Sequence, residues 1–124
     1  MKNILIVDDE DLIRYSLSSA LSRNDTFVKT ASCGKDALTE IGRNLYNLCF
    51  LDIHLPDADG LDLMKTFQAI SPATKIVIMS ASEIDDEELG NIRMNAWHFL
   101  PKPFELEDVQ SLVKRNMMND GAAT

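Results

Sequence analysis

Acids stand where apolar runs stop. Ile4-Leu5-Ile6-Val7 ends at Asp8-Asp9-Glu10, and Leu48-Cys49-Phe50-Leu51 ends at Asp52. Two further apolar runs end on a hydroxyl and near an ammonium: Lys75-Ile76-Val77-Ile78-Met79 at Ser80, and Trp97-His98-Phe99-Leu100 just before Pro101-Lys102-Pro103. Short apolar runs bounded by turn residues read as strands buried on both faces of a parallel sheet. An unpaired carboxylate cannot follow such a strand inward without a heavy cost. Asp52 must therefore emerge at the carboxyl end, where open parallel sheets place their ligands.

The carboxyl ends of parallel strands all face one side. Asp8, Asp9, Asp52, Ser80 and Lys102 should converge there. Two carboxylates about 4 Å apart repel by roughly 4 kcal/mol at an effective dielectric of about 20. Three need compensation. Lys102 supplies one positive charge, and a divalent cation would supply two. Oxygen-only ligands suit Mg2+, or Mn2+ in its place. A carboxylate beside Mg2+, a lysine and a hydroxyl is equipped to accept a phosphoryl group. Aspartate serves as a covalent nucleophile of this kind, and the transfer needs mainly positioning and charge neutralisation.

The remaining chain supplies the elements that hold these groups. Ile13, Leu17, Ala20 and Leu21 repeat at helical spacing after the first strand. Thr26 to Ala31 alternates as an edge strand would, with Lys29 as an edge charge. Ala37, Leu38, Ile41 and Leu45 form a second helical stripe, and Leu61, Met64, Phe67 and Ile70 a third. The third ends at Ser71-Pro72, since the residue before proline avoids helix. A fourth helix is expected from about Ile84 to Met94, with Leu89 and Ile92 inward and a loose capping box from Ser82 to Asp85. Leu106, Val109, Leu112 and Val113 mark the last. Strands alternating with helices in this way imply a doubly wound α/β fold with right-handed crossovers.

The totals agree with one domain. At 124 residues the chain needs no disulfide or structural metal to fold. A net charge of −8 argues against a nucleic-acid face and against adhesion to anionic membranes. Cys33 and Cys49 have no zinc-like spacing. The first apolar stretch meets Asp8 too soon for a signal peptide or a spanning helix. A reduced, cytoplasmic location is expected. Residues 119–124 carry no apolar period and are expected to form a flexible tail or the start of a linker, leaving 1–118 as the domain.

Five motifs in order carry a resemblance. Ile6-Val7-Asp8-Asp9-Glu10, Leu51-Asp52-Ile53-His54-Leu55-Pro56 with Asp59-Gly60, Met79-Ser80-Ala81, and Phe99-Leu100-Pro101-Lys102-Pro103-Phe104 resemble the signatures of the response-regulator receiver family of two-component signalling. That likeness implies a flavodoxin-like five-stranded sheet of order 2-1-3-4-5. It implies Asp52 as phosphoacceptor, taking its phosphoryl group from a histidine kinase or histidine phosphotransfer protein. Asp8 and Asp9 would form the acidic Mg2+ pocket, with Asp9, Asp52 and the His54 backbone carbonyl as direct ligands and Asp8 acting through water. Lys102 and Ser80 would hold the phosphoryl oxygens. Ser80 and Phe99 would be the switch pair, and the bond to Pro103 would be cis. The surface of the fourth helix, fifth strand and fifth helix would then signal to an effector, a fused output domain or a second copy. Trp97 and His98 fall on that surface.

Other readings compete. Ser80 is also a natural helix-start residue. An aspartyl-phosphate phosphohydrolase would need a second acid two residues after its nucleophile, and Asp52 is followed by Ile53-His54. A phosphorylation-independent binding module of the same fold would usually lack one of the five site residues. The chain is thus expected to be a switch that takes part in its own phosphoryl transfer and slow dephosphorylation, not an enzyme.

Overall fold

The computed structural model describes residues 2–122. Five strands, β1 (Lys2–Val7), β2 (Thr26–Ala31), β3 (Leu48–Asp52), β4 (Lys75–Ser80) and β5 (His98–Pro101), pair in parallel in the order β2-β1-β3-β4-β5. Between and after them run α1 (Asp11–Leu21), α2 (Gly34–Arg43), α3 (Gly60–Ile70), α4 (Asp86–Asn95) and α5 (Leu106–Ala122).

The unbroken apolar runs are explained by two cores. Alternate strand residues turn to opposite faces. Leu5, Val7, Cys49, Leu51, Ile76 and Ile78 join Ala37 and Ile41 of α2, Leu61, Met64 and Phe67 of α3, and Ile92 of α4. Ile4, Ile6, Phe50, Val77 and Met79 join Leu17 and Leu21 of α1 with Val109 and Leu112 of α5. With both faces covered, no strand position of β3 is left for a polar residue until Asp52 at its end. β2 lies at the sheet edge, and Lys29 points into solvent there.

Several boundaries and faces differ from the sequence reading. Leu45 lies beyond α2 and is exposed, as is Leu38, so the α2 stripe narrows to Ala37 and Ile41. Ile70 and Leu106 are also exposed, each at an end of its helix where the turn overhangs the core. α4 starts at Asp86, two residues later than expected, because the capping box is Asp85 with Glu88: the Asp85 carboxylate accepts from the Glu88 N–H at 2.7 Å and the Glu88 side chain accepts from the Asp85 N–H at 3.3 Å. Asn95 closes α4 in ordinary helical geometry, and no described residue takes a positive φ. α5 continues as helix to Ala122, past the point where its apolar spacing gives out. Residues 123–124 of the expected tail lie outside the described residues. Among the described residues no helix is long and apolar enough to cross a membrane.

The Asp85 cap gives a direct test. Asp85→Ala is expected to cost about 1 kcal/mol of unfolding free energy in urea, the usual loss for an N-cap carboxylate. An equal loss in Glu83→Ala would show that the box is not its source.

Candidate functional site

β1 and β3 are neighbours, so the carboxyl ends that carry Asp8 and Asp52 lie side by side. Both residues are almost wholly out of solvent, Asp8 at 0% and Asp52 at 5% relative exposure. Lys102 arrives from the loop after β5 and sets its ammonium between them. Its Nζ lies 2.7 Å from Asp8 Oδ2, 3.3 Å from Asp52 Oδ2 and 3.2 Å from Glu10 Oε1. The carboxylate oxygens of Asp8, Glu10 and Asp52 lie within 4.8 Å of one another.

The main chain fixes the acids. The Glu10 N–H donates to Asp8 Oδ1 at 2.9 Å, and the His54 N–H donates to Asp52 Oδ1 at 3.2 Å. Burial raises the Asp52 carboxyl above its ordinary value, and the neighbouring Asp8 charge raises it further; Lys102 and the His54 N–H pull the other way without cancelling this. Burial alone would lower the Lys102 ammonium. Hydrogen bonding to Asp8, with the charges of Asp52 and Asp8, outweighs that and holds it above the ordinary lysine value. Lys102 therefore stays charged among the acids.

Ser80 is buried at the end of β4 and its hydroxyl is engaged locally. Its Oγ accepts from the Ser82 N–H at 3.1 Å and donates to the Ser82 carbonyl at 3.3 Å. Phe99 is half-buried on β5, packed against the core shared with α3 and α4. The Lys102–Pro103 peptide is cis. Asp9 is exposed and lies outside the three-acid group, with Glu10 in its place.

Glu10 and Arg14 were not singled out in the sequence. Glu10 occupies the N-cap of α1 without making a side-chain cap, and turns instead to Lys102. The signal was there in a run of three acids at a strand end. Arg14 donates from Nη1 to the Asp8 main-chain carbonyl at 2.7 Å and pairs with Asp11. Its position one turn into α1 carried no distinguishing pattern.

The donor set suits a hard divalent cation. Three carboxylates and one ammonium leave about two negative charges to offset, and every candidate ligand atom is oxygen.

On the opposite flank, the Arg115 guanidinium lies 5.7 Å from the Trp97 ring centroid, and the Trp97 and His98 rings are 6.3 Å apart. Burial, then the Arg115 charge, holds His98 below its ordinary value of 6.5. The unfolded chain therefore takes up this proton first, and stability contributed by neutral His98 is lost as pH falls below 6.5. His98→Gln is expected to flatten that part of the urea-midpoint profile. An unchanged slope would remove His98 as its source.

The chain matches the response regulator receiver domain model over residues 4–114. It is 32% identical over 123 residues to the response regulator MprA of Mycolicibacterium vanbaalenii, covering 96% of this chain and 53% of that protein. It is 29% identical to the DNA-binding transcriptional regulator NtrC of Proteus hauseri, covering 91% of this chain and 24% of that protein. The chain thus spans about half or less of the curated relatives it matches. A solved response regulator receiver domain protein from Methanospirillum hungatei superposes with a TM-score of 0.91 at 24% identity, covering 100% of this chain and 99% of that one, which supports the fold.

Proposed function

Because the chain belongs to the response regulator receiver domain family of two-component signalling, we propose that it is switched by phosphorylation of Asp52. The observation that carries this is the seating of Lys102 between Asp52 and Asp8, with Glu10 beside them. An Asp52 carboxylate oxygen attacks the phosphorus of a phosphohistidine on a histidine kinase or phosphotransfer protein. The P–O bond forms as the P–N bond breaks, and the imidazole leaves with the electron pair. The Lys102 ammonium meets the phosphoryl oxygens, and the Ser80 hydroxyl exchanges its Ser82 partners for one of them. Mg2+, or Mn2+ in its place, would be held by Asp8, Asp9, Asp52 and the His54 carbonyl, with Glu10 beside the same oxygens. When bound it supplies the positive charge that offsets the acids and the phosphoryl group. Hydrolysis would return Asp52 slowly to the carboxylate.

Withdrawal of Ser80 frees space for Phe99 to turn inward, and the α4-β5-α5 surface changes with it. A downstream effector, an output domain fused beyond residue 118, or a second phosphorylated copy reads that surface. We assign the domain to residues 1–118, with α5 running on to Ala122 into a tail or linker of residues 119–124, and its setting to the cytoplasm.

The test is to incubate the protein with Mg2+ and acetyl phosphate and weigh it. A gain of one phosphoryl group, absent when EDTA is present from the start, is expected. A folded protein that gains no mass with Mg2+ or Mn2+ overturns the proposal. The single tryptophan, Trp97, lies on the surface read. Its emission should respond to a phosphate analogue, and Phe99→Ala should diminish that response. An unaltered response removes Phe99 from the switch.

A further inference from the structure

The loop after Asp52 is fastened to a neighbouring helix by a residue that touches none of the clustered acids. Asp57 lies across the start of α2. Its Oδ1 accepts from the Gly34 N–H at 2.7 Å and its Oδ2 from the Lys35 N–H at 2.9 Å. Those two bonds hold its carboxyl below the ordinary value, so it is charged at neutral pH. A carboxylate on two N–H groups at a helix start also meets the positive end of the helix dipole.

The fit between loop and helix is close. A Cβ on Gly34 would stand 2.8 Å from Ala58 Cβ and 2.9 Å from Leu63 Cδ1, so only glycine lets α2 approach. The base of the loop is closed on itself. The Gly60 N–H donates to the Ile53 carbonyl at 2.7 Å, and His54 bridges to Asp59. A Cβ on Gly60 would fall 2.3 Å from the Asp52 carbonyl oxygen. The Asp57 carboxylate is thus the polar tie from this closed loop to α2.

We propose that Asp57 is a positioning residue. By anchoring the loop to α2 it fixes the turn that presents the His54 carbonyl and the Asp52 carboxylate, and so sets the cation affinity of the site. This rests on the cation-dependent reading of the site given above.

Two variants, Asp57→Ala and Asp57→Asn, test it with Mn2+ alone as probe, free Mn2+ being counted by electron paramagnetic resonance. Outer groups that orient metal ligands typically alter affinity by 10–100-fold. Asp57→Ala acts through the loop and is expected to weaken Mn2+ by about tenfold, the lower end of that range. Asp57→Asn keeps one acceptor oxygen and should lose less. Amide exchange at Gly34 and Lys35 should quicken in step. A mere helix cap would lower the urea midpoint and leave Mn2+ affinity unchanged, and that result overturns the proposal. If Asp57→Ala does not fold, the isosteric Asp57→Asn decides by the same criterion. Wild-type protein that takes up no Mn2+ overturns the reading of the site and this inference with it. Wild-type uptake matched by both variants overturns this inference alone.

Discussion

Asp52→Asn is expected to abolish phosphoryl uptake from acetyl phosphate and, in EDTA, to leave a protein more stable than wild type at neutral pH. The first effect follows because the amide oxygen is no nucleophile. The second follows from charge. Burial and the Asp8 carboxylate both oppose ionisation of Asp52, and its folded pKa is raised above 3.8. A group that holds its proton more tightly when folded makes the native state the better proton binder between the two pKa values. Stability therefore falls as pH rises through that window and stays low above it. Asparagine does not titrate, so the variant escapes the fall. The difference should open above the window and close in acid. Urea midpoints in EDTA across pH measure it. A variant no more stable than wild type at neutral pH would show that Lys102 compensates Asp52 fully.

The sequence disclosed the sheet because its strands are buried on both faces. An unbroken run such as Leu48-Cys49-Phe50-Leu51 has few alternatives once Pro and Gly bound it. The meeting of Asp8, Asp52 and Lys102 followed from strand polarity, since parallel strands bring these ends to one side, and the structure puts Lys102 against both buried acids. Helix surfaces were less legible. Leu38 and Leu45 match a helical stripe, yet the first faces solvent and the second lies past the helix end, because spacing does not reveal where a neighbour stops. The choice of Glu10 over Asp9 beside Lys102 was hidden for a related reason. Which of three consecutive acids turns inward depends on how α1 leaves β1, a matter of backbone direction that residue types do not encode. The Asp57 clamp was hidden too, since it joins residues 23 apart in the chain through main-chain donors that carry no sequence signature.

Lys102→Ala is expected to destabilise the metal-free protein strongly. The ammonium side chain is 7% exposed and meets Asp8 at 0% and Asp52 at 7%. Removing one partner of a buried ion pair costs about 3–5 kcal/mol, because the other charge stays behind. The lower end applies here, about 3 kcal/mol, since Glu10 is 57% exposed and admits water to the cluster. The loss has a pH signature. Without Lys102, burial and the Asp8 charge act on Asp52 with less opposition, so its proton is held harder in the folded state, and stability falls more steeply as pH rises. In acid, where the carboxylates are protonated, variant and wild type should converge. A divalent cation should reverse much of the loss, because a ligand that binds only the folded state adds about 2.7 kcal/mol at a hundredfold excess over its dissociation constant. Phosphoryl uptake should not recover with it. One preorganised donor to the transferring group is typically worth about a hundredfold or more in rate, and the cation fills the charge deficit without replacing that donor. Urea midpoints with and without Mg2+, set beside acetyl phosphate kinetics, separate the two roles. Full recovery of rate on adding Mg2+ would reduce Lys102 to a counter-charge. An unchanged midpoint in EDTA would mean the acids are not held together by Lys102 at all.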